Sequence, residues 1–248
     1  MPPTGSRTIQ ATPQKTSAGP IDETVTYTFH TSNACGGSDT QTAALHIVGS
    51  IDVAQEAAVQ ALEAKLSLNS IYFPTSRPTA AHPKGGLVPS QQQRLQELVT
   101  NFKQYLQLRA DAHLILQAHA DRRGTRAYNM ALSERRAAGV RSFLVDQGIA
   151  ESSIETKAFG KEQNLDAATV RQLTEQNPNL TPDDRKRVEK HLPTFLLANN
   201  RRVDVVLSTT GQKSLQYYPY NSEDLKVLLG PPPKAQAAPR KAKAKVKK

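Results

Sequence analysis

Arg136 is the residue whose placement asks most of its surroundings. It stands four positions after Leu132 and four before Val140, so helical periodicity puts its guanidinium on the line that faces a core. A buried arginine left unpaired costs roughly 3–5 kcal/mol, and Arg136 is therefore expected to meet an anion. Two readings stay open: an internal ion pair with a nearby acid, or a bidentate site for a ligand carboxylate, for which arginine's planar fork is suited. Asn129, seven residues earlier, sits near the same line. Asp121 follows an apolar run and precedes Gly124 and a helix; alone it reads as a loop or capping aspartate beside a positive helix terminus. An aspartate and an arginine in one pocket can hold a zwitterion, each taking the opposite charge. Spacing by itself does not bring them together.

Other chemistries find little support. His119 and Asp121, one residue apart, are spaced for two ligands on one metal, but the six histidines form no further cluster, and no metal is expected. No Gly-rich phosphate loop, G-x-S-x-G elbow or H-E-x-x-H occurs, and the single Cys35 has no neighbouring histidine in sequence. Catalysis is not expected, and no cofactor is implied. One cysteine also excludes an internal disulfide framework. The formal charge of +10 is concentrated in the last 18 residues, which hold Lys234, Arg240, Lys241, Lys243, Lys245, Lys247 and Lys248 and no acid, leaving +3 on the other 230. Such a tail offers a function of another class, a polyanion-binding or protein-interaction module with steeply salt-dependent affinity. The bland reading is a solvated, flexible tail.

The elements that must position these groups follow from periodicity. Residues 24–30, TVTYTFH, and 42–48, TAALHIV, alternate as strands around the turn-rich NACGGSD and predict a hairpin. A weaker alternation at Thr8 to Thr12 suggests a third strand. Two or three strands with so little apolar area are marginal alone, so residues 1–50 are expected to be the end of an immunoglobulin-like sandwich whose earlier strands lie outside this chain. The chain would then be a fragment of a longer exported protein, in keeping with a start, MPPTGSRTIQ, that lacks an apolar signal core. No apolar run approaches the roughly 18 residues that span a bilayer. Residues 51–65 predict a helical linker.

From 66 to 210 the pattern is strand (SLNSIYFP, ended by Pro74), a Pro/Gly-rich loop, then a helix with Ser90 as N-cap. That helix carries a stripe of Leu95, Leu98, Val99, Phe102, Tyr105 and Leu106. HLILQAHA (113–120) predicts a buried strand, Arg126 to Gln147 a second amphipathic helix stopped by Gly148, and ETKAFG and RRVDVVL the remaining strands. The polar stretch 161–199 predicts two short helices, one begun by Thr181-Pro182. The fold class expected is α+β, a βαβαβ-type two-layer sandwich with a helical insertion before its last strand. Residues 211–230 form a C-terminal extension, and 231–248 a Pro/Ala/Lys tail too polar to fold.

Taken in order, HADRRG, YN, LSERRA, VRSFLVDQGI, FGKE and NRRV resemble the motifs of the OmpA-like domain family shared by OmpA, Pal and MotB. The resemblance covers a little over half of the chain. It implies non-covalent binding of peptidoglycan, chiefly through the diaminopimelate of its stem peptide, by a non-catalytic anchor of the periplasm or outer membrane. Carried over by motif position, the ligand aspartate falls on Asp121 and the helical arginine on Arg136. Asn129 matches the motif asparagine near the pocket, and Arg201, or else Arg202, a supporting contact. The chain departs from the pattern at Ala120, where the family usually has threonine, and at Pro74 after Phe73. In an exported protein the tail's partners would be acidic wall polymers or lipid head groups, with no nucleic acid expected.

Overall fold

The computed structural model describes residues 12–15, 19–32, 37–51, 53–83 and 85–231. These divide into two compact units, the first ending at Glu63 and the second beginning at Ala64.

In the first unit, strands β1 (Gly19–Ser32) and β2 (Ser38–Ile51) pair antiparallel, Tyr27 facing Ala43, and helix α1 (Val53–Lys65) follows. The ribbon buries almost nothing: Val25 and Tyr27 are half-buried, while Phe29, Leu45 and Val48 are exposed. The third strand expected at Thr8 to Thr12 falls on residues 8–11, outside the described ones, and Thr12 is not in a strand.

The second unit runs β3 (Ile71–Tyr72), α2 (Pro89–Leu108), β4 (Leu114–His119), α3 (Arg126–Asp146), β5 (Ile154–Gly160), then α4 (Ala167–Gln176), α5 (Pro182–Lys190) and α6 (Leu192–Asn199). Strand β6 (Arg202–Leu207) and a short α7 (Leu225–Leu229) complete it. The sheet order is β3-β6-β4-β5. β4 is parallel to β5 and antiparallel to β6, so the last strand enters the middle of the sheet. The stripe foreseen on α2 is the buried one: Leu95, Leu98, Val99, Phe102 and Tyr105 are inside, and Leu106 is half-buried. Helix α3 packs on β4, β5 and β6, and α2 on β3.

Three local expectations need correcting. Ser90 is not the N-cap of α2; Val88 is, with Pro89 opening the helix, and no side chain within the helix caps it. The cap comes from far away, since Asp224 accepts from Ser90 N at 3.0 Å and from Ser90 Oγ at 2.7 Å. The insertion holds three helices rather than two, because Pro193 at the head of α6 opens a new helix directly after α5. Finally, all six residues of β6 are buried, and alternating residues face opposite ways, so both faces of the sheet's centre are covered. Arg202 and Asp204, on the polar face, bond to Asn199, Asn200 and Gln216. The insertion and the C-terminal extension thus close a face that a two-layer sandwich leaves open.

Candidate functional site

Asp121 leaves the end of β4 where Ala120 N still donates to Gly160 O at 2.6 Å. The turn that follows is held from both sides. Arg123 N donates to Asp121 Oδ1 at 3.0 Å, and Asn129 Nδ2 donates to Arg123 O at 2.9 Å. Gly124 has φ +91°, and a Cβ there would stand 3.2 Å from the Tyr128 ring, so the turn requires glycine on both counts. Thr125 then caps α3, its side chain accepting from Tyr128 N at 3.2 Å. The result is a cleft of about 320 Å³ lined by Thr75, Ser76, Asp121, Arg123, Tyr128, Asn129 and Leu132 with Gly124.

Arg136, one turn beyond Leu132 on α3, is fully buried and does not line that cleft. It was expected to meet a carboxylate or a ligand anion; among the described residues its hydrogen-bond partners are backbone carbonyls and not a carboxylate. Its Nε donates to Arg77 O at 3.0 Å, Nη1 to His119 O at 2.8 Å and Nη2 to Pro74 O at 3.4 Å, and its Cζ lies 5.4 Å from the centre of the Phe73 ring. Backbone carbonyls carry partial negative charge and replace a counter-ion here, with the aromatic face adding to them. Burial, followed by the charge of Arg201, pushes the Arg136 guanidinium down to about 9, against the opposing pull of Asp121. It remains a cation at neutral pH.

Of the NRRV pair, Arg201 turns to the site and Arg202 away from it. Arg201, also buried, places Nη1 3.4 Å from Asp121 Oδ2, and donates from Nε to Phe73 O at 3.0 Å and from Nη2 to Leu229 O at 3.0 Å and to Leu228 O. Arg202 instead grips Asp204 at 2.9 and 3.0 Å. Ser70 and Gln216 also donate to Asp204. Burial alone would raise the Asp204 carboxyl, but the His119 contact, Arg202 and Ser70 hold it down at about 2. His119 belongs to this second cluster. Its Nε2 sits 3.4 Å from Asp204 Oδ2 without hydrogen-bond geometry, its ring stacks on Phe159 at 5.3 Å, and burial lowers its pKa. It does not join Asp121 in a metal-ligand pair, and no group of three ligating side chains occurs among the described residues.

Two guanidiniums, those of Arg123 and Arg201, therefore reach the Asp121 carboxylate, and Arg136 acts on it only through its charge. Asp121 is 7% exposed; burial pushes its carboxyl up, but hydrogen bonds from Arg123 and the charges of Arg123 and Arg201 bring it below the ordinary value. It is ionised at neutral pH and faces a small cleft of mixed polar and apolar lining, with excess positive charge behind it. Such a place suits a compact ligand that carries both an ammonium and a carboxylate. Of the residues singled out from the sequence, Asp121 and Asn129 line the cleft, Arg201 reaches Asp121 from behind it, and Arg136 is buried outside the lining. Sequence reasoning missed Arg123, which forms the shortest contact to Asp121, Nη2 to Oδ2 at 2.7 Å. It also missed the carbonyls of the Pro/Gly-rich loop. No periodicity marks a loop carbonyl, whereas an arginine two residues beyond a candidate aspartate was a signal available to be read.

Residues 84–178 match the model of the OmpA family. The chain is 43% identical over 70 residues to the peptidoglycan-associated lipoprotein of Mesorhizobium japonicum, covering 28% of this chain and 38% of that protein. It is 44% identical over 64 residues to the peptidoglycan-associated lipoprotein of Pseudomonas aeruginosa, covering 26% and 38%. The match thus spans well under half the length of either relative. Among solved structures, the peptidoglycan-associated lipoprotein of Burkholderia pseudomallei superposes with a TM-score of 0.36 at 25% identity, over 56% of this chain and 90% of that one.

Proposed function

We propose, from the premise that residues 84–178 of this chain belong to the OmpA family, that the chain binds peptidoglycan non-covalently and anchors an envelope protein to the cell wall. The observation that carries this is the cleft at the start of α3, with ionised Asp121 on its wall and buried cations beside it. The ligand group is the diaminopimelate of the stem peptide, whose free end offers an ammonium and a carboxylate on one carbon. Asp121 takes the ammonium. The carboxylate meets the positive field of Arg136 and Arg201, and Arg136 has three of its five N–H donors on carbonyls of the described residues. Asn129 acts by holding the turn that presents Asp121.

Binding of this kind is anchoring and not catalysis, and the site calls for no cofactor. Its place on this reading is the periplasm or outer membrane, where peptidoglycan is met; among the described residues no helix is long and apolar enough to cross a membrane. Residues 66–210 carry the binding domain, with 211–230 as an extension docked on it. The tail 231–248, which beyond Pro231 lies outside the described residues, brings seven cations suited to acidic wall polymers or lipid head groups. The exposed apolar side chains of the β1-β2 ribbon fit a piece of an immunoglobulin-like sandwich. Co-sedimentation with diaminopimelate-type peptidoglycan tests the central reading. The intact chain should pellet with the wall and Asp121→Ala should stay in the supernatant; equal pelleting would reject the site.

A further inference from the structure

Both oxygens of Asp121 are already occupied. Oδ1 accepts from Arg123 N and Arg123 Nε, each at 3.0 Å, and Oδ2 accepts from Arg123 Nη2 at 2.7 Å and Arg201 Nη1 at 3.4 Å. A carboxylate has about four lone-pair positions, so a ligand ammonium finds no vacant acceptor there and must displace a donor. The two cations differ in what holds them. The Arg201 side chain is 1% exposed and fixed by three backbone carbonyls. The Arg123 side chain is 36% exposed, and its one other described partner is Thr75 Oγ1, at 3.5 Å. The Arg123 guanidinium can swing to water once another cation takes its place on Asp121, while Arg201 cannot leave without stranding three buried acceptors.

We infer that Arg123 is a resident counter-ion that occupies the place of the ligand's ammonium on Asp121, and that its guanidinium must leave for the ligand to enter. This rests on the reading of Asp121 as the ammonium site. Ligand binding is then an exchange of one cation for another, so the cleft keeps its charge balance when empty and discriminates against groups without an ammonium. An uncharged or purely anionic ligand gains nothing from displacing Arg123. The exchange also weakens binding relative to a bare carboxylate, because part of the ligand's interaction replaces one the protein already makes.

The test is calorimetric titration of the intact chain, Arg123→Ala, Arg123→Gln and Asp121→Asn with meso-diaminopimelate and with pimelate, the same diacid without its ammonium groups. The expected result is that both Arg123 variants bind diaminopimelate more tightly than the intact chain, on the order of tenfold, with no such gain for pimelate. Binding by the Arg123 variants alone would equally support the exchange. Unchanged or weaker diaminopimelate binding by both Arg123 variants, with Asp121→Asn still abolishing it, would overturn the counter-ion role and leave the wall-binding site standing. An equal gain for pimelate would also overturn it, since a wider cleft would then explain the effect. Diaminopimelate bound as well by Asp121→Asn as by the intact chain, or not bound by any form, would remove both this inference and the site on which it rests.

Discussion

Arg136 and His119 show two ways of keeping a polar side chain inside this protein, and each makes a prediction. Arg136 is stabilised by loop carbonyls from Pro74 and Arg77 and a strand carbonyl from His119. Replacing it with alanine would leave those acceptors unpaired, which costs roughly 1–3 kcal/mol for each buried group. Arg136→Ala is therefore expected to destabilise the fold itself. The urea midpoint of Arg136→Ala should fall by an amount equivalent to about 3 kcal/mol, and an unchanged midpoint would refute this account of the residue. His119 is buried as the neutral ring, its folded pKa below the ordinary value near 6.5. An unfolded histidine takes up a proton as the pH falls through about 6.5, whereas the folded one resists. Its contribution to stability is whole above that value, drains away as the pH drops below it, and levels off beneath the folded pKa. As the pH is lowered from about 7.5 through the unfolded value near 6.5, the intact chain should lose more stability than His119→Gln. Parallel losses would show that the imidazole is not held neutral.

At the scale of elements, the C-terminal extension acts as a clamp. Asp224, just before α7, supplies the anion that α2 lacks at its own N-terminus. Leu225 and Leu228 enter a cluster with Tyr72, Phe195 and Tyr218, and the carbonyls of Leu228 and Leu229 hold Arg201 beside Asp121. One short segment thus serves a helix cap, a core and the candidate site. Asp224→Ala should destabilise the chain by about 1 kcal/mol, the usual worth of an N-cap, read as a drop in melting temperature with no change in the affinity for peptidoglycan. A neutral effect on melting would mean that water replaces the carboxylate without loss.

For the whole molecule, the question is whether wall binding comes from a cleft or from net charge. Seven cations lie in the last 18 residues, and such a tail would bind any polyanion with steep salt dependence. A partly enclosed ion-pair site is screened far less. A chain ending at residue 230 should therefore pellet with peptidoglycan as the intact chain does, and raising the salt from about 50 to 200 mM should weaken binding only modestly. Loss of pelleting on truncation would transfer the function to the tail.

Which parts of this were legible beforehand follows from the kind of information each requires. Helical periodicity in a single stretch of chain located α2 and α3, and short apolar runs located the strands β4 and β6, whose buried side chains are marked by residue type. The ordered motifs pointed to a resemblance to the OmpA-like family and to Asp121 and Asn129, which line the cleft, while Arg136 and Arg201 stand outside its lining. Periodicity could not say that Arg136 would be satisfied by carbonyls, that α2 would be capped by Asp224, or that Arg201 rather than Arg202 would face Asp121. Each of these depends on segments distant in the chain, and backbone carbonyls leave no mark in residue type. Only the folded arrangement decides which of several cations lies within reach of one carboxylate, since electrostatic partnership is set by distance in space and not by distance along the sequence.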